Sequence, residues 1–257
     1  MLLAIDAGNT NVVFSLMDGM DAVQQWRMET ADVTDPVAAV AWLNDHMAGC
    51  GIDPEMISGA ILSSVVPVVN SVLVDMVADM TGHRLMIVGA DDLDLGIKLN
   101  VDNPAEVGAD RIVNALAAQQ DHDCPLVIVD FGTATTFDVV DKSGAYVGGV
   151  IAPGIRLSLK ALHDAAAKLP LIEPAEPTGG VIGKNTVDAM RSGLFWGYVG
   201  MIEGVVDRLQ SELGHDVKVI ATGGLAPTFE GKTRVIDTVD QNLTLKGLAL
   251  IYERNYN

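Results

Sequence analysis

The sequence predicts an α/β fold built from two copies of one half, each a mixed sheet that opens as a β-meander. Residues 126–135 (LVIVDFGTAT) echo residues 2–11 (LLAIDAGNTN), and Asp130 follows Asp6 by 124 residues in a chain of 257. Both copies read apolar strand, Asp, one residue, Gly, then small hydroxyl or amide types. Each then runs into a second β-prone stretch and a turn, Asp18-Gly19 in one and Ser143-Gly144 in the other. Beyond each meander, strands and helical patterns alternate. The duplication divides the chain into halves at 1–121 and 122–257.

The elements follow in order. Residues 2–7, 11–17 and 22–28 read as strands, and Thr34-Asp35-Pro36 opens an apolar-periodic helix to about Gly49, because Pro suits a first turn. A buried strand over 57–63 precedes a helix from Pro67 to about Thr81, and 84–88 is a strand. Asn103-Pro104-Ala105-Glu106 reads as the start of a helix that runs through Gly108-Ala109-Asp110-Arg111 to about Gln120. In the second half 145–152 is a strand, Pro153-Gly154 a break and 155–167 a helix. The stretch 170–182 is a Pro/Gly-rich loop. Asn185 or Thr186 caps a long helix to about Leu213, with a possible interruption. Strands at 217–221 and 234–236 and a helix at 240–253 close the chain.

Composition narrows the function. Hydrophobic residues make up 49% and charged residues 19%, enough apolar material for a sizeable core. No uncharged apolar run reaches the roughly 18 residues of a membrane span. The start reaches Asp6 without a basic region and reads as a buried strand rather than a signal peptide. Cys50 and Cys124 stand far apart and the five His are scattered, so a disulfide framework and a zinc site are not expected, and a cytoplasmic setting fits. A net charge of −18 disfavours nucleic-acid binding. An anionic substrate must therefore be met locally, by backbone N–H groups, a few Arg and a metal ion.

A strand ending in Asp-x-Gly-Asn-Thr-Asn suits that task. Gly allows close backbone approach, turn N–H groups with Asn and Thr side chains cradle phosphate oxygens, and a strand-end carboxylate holds magnesium. Other phosphate motifs fail: Gly183-Lys184-Asn185-Thr186 lacks the upstream Gly and the hydroxyl after Lys of a P-loop, and no GxGxxG follows a strand. Thr222-Gly223-Gly224 could let an adenine ring lie against backbone, although alone it reads as an ordinary βα turn. Asp110 can orient a hydroxyl and accept its proton, and Arg111 can clamp a carboxylate; standing alone, the two read as a first-turn charge pair.

Taken together, Asp6-Ala7-Gly8-Asn9-Thr10-Asn11, Ser63-Ser64-Val65-Val66-Pro67, Gly108-Ala109-Asp110-Arg111, Asp130-Phe131-Gly132-Thr133-Ala134-Thr135, Gly148-Gly149-Val150-Ile151-Ala152-Pro153-Gly154, Gly183-Lys184-Asn185-Thr186 and Thr222-Gly223-Gly224 occur in an order that resembles the type III pantothenate kinases over essentially the whole chain. That resemblance implies the actin and sugar-kinase fold of duplicated ribonuclease-H-like halves, and ATP-dependent phosphorylation of pantothenate, the first step towards coenzyme A. It implies that Asp6 holds magnesium and that Asp6, Ala7, Gly8, Asn9, Thr10, Asn11, Val12 and Val13 wrap the ATP phosphates with Thr133. It implies Asp130 as ligand of a potassium or ammonium ion. Gly108, Ala109, Asp110 and Arg111 would line the pantothenate site, completed by Thr186, with Asp110 as general base. Val101 stands where the family often has a substrate-contacting Tyr.

One helical face carries Gly193, Gly197, Gly200 and Gly204, at about 1 kcal/mol each relative to Ala, so a close-packed partner is expected. That partner is a helix of this chain or of a second subunit; the resemblance implies a homodimer. Two other readings stand beside the pantothenate kinase: a phosphotransferase or phosphatase of the same superfamily with another substrate, and a non-catalytic nucleotide-binding regulator of the same fold.

Overall fold

β1 (Leu2–Ala7) and β2 (Asn11–Asp18) pair antiparallel, with Asp6 opposite Val13 and Ala7 opposite Val12. The computed structural model describes residues 1–256. β3 (Asp21–Glu29) pairs antiparallel with β2. On the other side of β1, β4 (Gly59–Ser64) runs parallel, with Asp6 opposite Ser63, and β5 (Leu85–Ile87) runs parallel to β4. The sheet order is β3-β2-β1-β4-β5.

Alternation of side chains sends Leu3, Ile5, Ala7, Phe14 and Leu16 to one face. There they meet Leu43 and Met47 of α1 (Pro36–Gly49) and Leu73, Met76 and Val77 of α2 (Pro67–Thr81). Both helices start as their sequences dictate. Asp35 accepts the N–H groups of Val37 and Ala38, and Pro sits in each first turn. The opposite face carries Leu2, Ala4, Met17 and Ile61 against α3 (Ala109–Asp121) and the final helix α7 (Leu243–Asn255). Truncating one of the fully buried residues, such as Leu3 or Leu248, to Ala is expected to cost roughly 2–5 kcal/mol.

The second unit repeats the plan. β6 (Leu126–Phe131), β7 (Ala134–Val140) and β8 (Tyr146–Pro153) form the meander, and β9 (Lys218–Thr222) lies parallel to β6, with β10 (Thr238–Val239) beyond it. The order β10-β9-β6-β7-β8 mirrors that of the first sheet. The match extends to single residues: Asp130 lies opposite Thr136 and Thr222 as Asp6 lies opposite Val13 and Ser63. The core of this unit is filled by Phe131, Phe137 and Val219 against Ile155 of α4 (Ile155–Ala165), Phe195, Tyr198 and Ile202 of α5 (Thr186–Leu213) and Phe229 of α6 (Ala226–Phe229).

Four expectations differ from the structure. The division at 121/122 is replaced by two compact units, residues 1–120 with the chain from Asn242 onward, and residues 121–241. α7 joins the first unit because its apolar stripe covers β1 and β4, and Gly247 lies so close to α3 that a Cβ would sit 2.1 Å from the Val113 carbonyl oxygen. The helix expected from Pro104 is interrupted. Pro104–Glu106 is a single 3₁₀ turn, Val107 is extended, and α3 begins only at Ala109. α5 runs unbroken for 28 residues despite its glycines, and Asn185 is its cap, accepting the Asp188 N–H. The strand expected at 234–236 is displaced to β10, because residues there are held by side chains instead: the Arg234 N–H donates to Glu203 and the Ile236 N–H to the Thr233 hydroxyl.

Candidate active site

The hairpin between β1 and β2 is closed by the Gly8 N–H donating to the Asn11 carbonyl at 3.0 Å, which leaves Asn9 and Thr10 exposed at its tip. Thr30, the first residue of the 3₁₀ turn that follows β3, holds this tip from behind. The Thr30 N–H donates to the Thr10 carbonyl at 3.0 Å, and the Thr30 hydroxyl donates to the Gly8 carbonyl at 2.7 Å. Val12 is fully buried in the core, and Val12 and Val13 lie in a strand paired on both sides, so the tip itself, residues 8–10, is what the hairpin presents outward.

Asp6 ends the same strand and points to the sheet face that carries α3. It keeps some solvent access, while protein atoms crowd the rest of its carboxyl. Desolvation, then the negative charge of Asp110, push its pKa to about 6. Ser63, fully buried beside it, favours the carboxylate, although its hydroxyl falls short of full hydrogen-bond geometry. Arg27 assists weakly through its charge.

Asp110 lies in the first turn of α3, where the helix dipole favours an anion. Its carboxylate accepts the Arg111 N–H at 2.9 Å. Burial raises its pKa, and the Arg111 N–H and guanidinium partly oppose that rise. Gly108 packs directly on this carboxylate: a Cβ there would sit 2.6 Å from Asp110 Oδ1 and push it aside. Two half-buried carboxylates thus stand in one site, the charge of Asp110 raising the proton affinity of Asp6, with Arg27 acting against the rise at Asp6 and Arg111 against that at Asp110.

In the second unit the turn after Asp130 is closed by the Gly132 N–H donating to the Ala134 carbonyl at 3.0 Å, with Gly132 and Thr133 exposed. Gly154, which occupies the place of Thr30, donates its N–H to the Thr133 carbonyl at 3.1 Å. A Cβ on Gly154 would lie 2.1 Å from that oxygen, so only glycine fits. Asp130 is bounded by Gly223, where a Cβ would lie 2.5 Å from Oδ1 and where φ is +88°.

Comparison with known proteins decides the family. The family model described as type III pantothenate kinase matches residues 2–208. A type III pantothenate kinase of Paramagnetospirillum magneticum is 49% identical over 255 residues, covering 99% of this chain and 98% of its own. One from Caulobacter vibrioides is 46% identical over 256 residues, covering 99% and 98%. The chain belongs to the type III pantothenate kinase family.

Solved structures support the fold of duplicated ribonuclease-H-like halves. A provisionally assigned N-acetylmannosamine kinase from Listeria monocytogenes superposes with a TM-score of 0.57 at 13% identity, covering 100% of this chain and 99% of its own. A Campylobacter jejuni protein provisionally assigned to the Baf family of transcriptional activators superposes with a TM-score of 0.60 at 17% identity, covering 98% of both. At such identities the likeness is one of fold alone.

Within the type III pantothenate kinase motifs, the structure brings Asp6, Ser63, Gly108, Asp110 and Arg111 together in the first unit. Val101 precedes the 3₁₀ turn that leads to Gly108 and is half-buried. In the second unit, Asp130 stands with Gly223, and Thr133 with Gly154. Thr186 starts α5 and lines a cavity of about 810 Å³ between α4 and α5, with Leu159, Leu162, Gly193, Gly197 and Tyr198. The Tyr198 hydroxyl donates to the Pro153 carbonyl at 2.7 Å and meets Ser158. Sequence reasoning missed Thr30 and the separate contribution of Ser63. The signal for Ser63 was present, since the strand register sets a hydroxyl beside each strand-end Asp, Ser63 in one unit and Thr222 in the other.

Proposed function

We propose that this chain transfers the γ-phosphoryl group of ATP to the hydroxyl of pantothenate, giving 4′-phosphopantothenate and ADP as the first step of coenzyme A biosynthesis. The observation that carries this reading, beside family membership, is the placing of Asp110 at the start of α3 where its charge acts on Asp6. Asp110 takes the proton of the attacking hydroxyl as the new P–O bond forms and the bond to the ADP oxygen breaks. Burial raises its pKa, which makes it a better proton acceptor than an exposed Asp. Arg111 meets the substrate carboxylate, and Gly108, Ala109, Val101 and Thr186 complete the pantothenate site.

The donors fit magnesium bound through phosphate oxygens and few carboxylates. Among the described residues no cluster of three or more His, Cys, Asp or Glu could hold a metal by itself, and Asp6 is a half-buried carboxylate without a strong cationic partner. Magnesium bound at Asp6 would neutralise phosphate charge. The exposed tip of the Asp6 hairpin, residues 8–10, and Thr133 hold the nucleotide. The reading takes Asp130, the strand-end carboxylate of the second unit, as ligand of a potassium or ammonium ion; Gly223 packs on its Oδ1 and on the Phe131 backbone so closely that no side chain fits there.

A homodimer completes this reading. Apart from their own helix, nothing among the described residues lies within 4 Å of where a Cβ would stand on Gly193, Gly197 or Gly200, so none of the described helices supplies the expected close partner. Gly193 and Gly197 line the α4–α5 cavity, and Ile151, Leu157, Leu162, Val181 and Ile182 are exposed on the same unit. An apolar face of this kind calls for a second copy. No helix of the described residues is long and apolar enough to cross a membrane, and the reading sets the enzyme in the cytoplasm.

The test is pantothenate-dependent release of ADP from ATP with magnesium and potassium present. Absence of that release, with ADP formed instead on another small alcohol, would move the chain to a different substrate. Nucleotide binding without any turnover would favour the regulator.

A further inference from the structure

The hairpin at Gly8–Thr10 can cradle phosphate only if its peptide N–H groups face outward. A trans peptide carries its C=O and N–H on opposite edges, so whatever fixes the carbonyl also aims the N–H of the next residue. Gly8 and Thr10 both have their carbonyls taken by one residue. Thr30, buried just beyond the end of β3, donates its hydroxyl to the Gly8 carbonyl at 2.7 Å and its N–H to the Thr10 carbonyl at 3.0 Å. The N–H of Asn9, at the exposed tip, is thereby turned to the edge opposite Thr30. Without the hydroxyl the Gly8 peptide has no donor at that place and is free to rotate, which would turn its oxygen towards the anion.

The second unit supports this reading. Gly154 makes the backbone half of the same contact, from its N–H to the Thr133 carbonyl at 3.1 Å, at the same register position. There the turn is fixed by close packing on a residue with no side chain, whereas the first turn relies on a side-chain hydroxyl.

We infer that Thr30 is a positioning residue for the nucleotide: its hydroxyl holds the Gly8 carbonyl inward and so keeps the phosphate-facing N–H edge of the hairpin in place. This rests on the reading of the Asp6 hairpin as phosphate-binding. The test measures ADP binding by calorimetry with magnesium present, and kcat and KM for ATP, in Thr30→Val, Thr30→Ala and Thr30→Ser. The two hydroxyl-free variants guard against a folding defect in either, and melting temperature is followed in all three. The expected result is about tenfold weaker ADP binding and a similar rise in KM for ATP in the hydroxyl-free variants, the scale of one lost hydrogen bond. Thr30→Ser should return both to within about twofold, because it restores the donor. A purely structural role would lower the melting temperature without this pattern. Parent-like ADP binding in a folded Thr30→Val or Thr30→Ala would overturn the inference, as would a Thr30→Ser as weak as they are. Asn9→Pro, which removes the tip N–H, separates the two levels. If it weakens ADP binding and the Thr30 variants do not, only the role of Thr30 falls. If neither does, or the parent binds no ADP, the hairpin reading falls with it.

Discussion

The two halves share a backbone and differ in what they place on it. β1 and β6 have the same sequence of buried and half-buried positions, as do β2 and β7 over their common length, and the register around Asp6 and Asp130 matches pair for pair. Around Asp6 the chain sets a second carboxylate, Asp110, and a clasping hydroxyl, Thr30. Around Asp130 it sets glycines, Gly154 and Gly223, each pressed against an oxygen. One turn is tuned by charge and hydrogen bonding, the other by the absence of side chains. A duplicated fold gives each half the same strand end, and the surrounding residues decide its chemistry.

The difference is broken most severely by removing the charge that only the first half carries. Asp110→Asn should lower kcat by about 10²–10⁴-fold while leaving ADP binding close to the parent and the fold at least as stable, because the shape is kept and the proton acceptor is lost. Turnover within a few fold of the parent would show that Asp110 is not the base.

The next effect is on stability. The folded-state pKa of Asp6, about 6, lies above the ordinary 3.8, so the folded chain holds this proton more tightly than the unfolded chain. The metal-free protein therefore bears no penalty from Asp6 below about pH 4, acquires it as the pH rises through about 6, and carries it fully at pH 8. The full penalty is at most about 3 kcal/mol, less whatever solvent screening removes at this partly exposed carboxyl. Asp6→Asn should accordingly stabilise the protein at pH 8 in EDTA, and the gain over the parent should vanish towards pH 4. Denaturation curves of both proteins across that range check it; an Asp6→Asn protein less stable than the parent at pH 8 would contradict the burial argument.

Much of this arrangement was legible because its signals are local. Asp-x-Gly after an apolar run recurs at 6 and 130, Pro67 sets the start of α2, and Asp35 the start of α1. What was not legible depends on contacts distant in sequence. Thr30 lies 22 residues from its partner Gly8 and looks like any hydroxyl at a strand end. α7 joins the first unit through a packing face that pattern alone assigns to no particular sheet. The late start of α3 comes from Val107 and Gly108, which hold Asp110 in the first turn, where propensity alone would extend the helix to Pro104.

The glycine clasp of the second half is tested by adding one carbon. Gly154→Ala forces a Cβ towards the Thr133 carbonyl, and the strand must shift, at about 1–3 kcal/mol of stability. The reciprocal change in the first half, Thr30→Ala, adds nothing and should cost about 1 kcal/mol, one hydrogen bond. Equal losses in the two variants would mean that the turns are held in the same way.

The smallest effect concerns the cation, and it separates the two strand-end aspartates most finely. Few fixed positive charges are available to a polyphosphate in a chain of net charge −18, so an ion at Asp130 would supply one. The Asp130 carboxylate packs on residue 223, which is glycine with φ at +88°, a conformation that other residues rarely adopt. Replacing potassium by sodium or lithium should lower activity by about tenfold, equivalent to about 1.4 kcal/mol. Asp130→Ala should make the three salts equal by removing the ligand. Gly223→Ala should do so by setting a methyl group against Oδ1, with Asp130 still present. If Gly223→Ala kept the parent's salt preference while Asp130→Ala lost it, the ion would sit on another side of the carboxylate. Equal rates in all three salts for the parent would remove the cation from Asp130 altogether, and leave the second turn with a positioning role only.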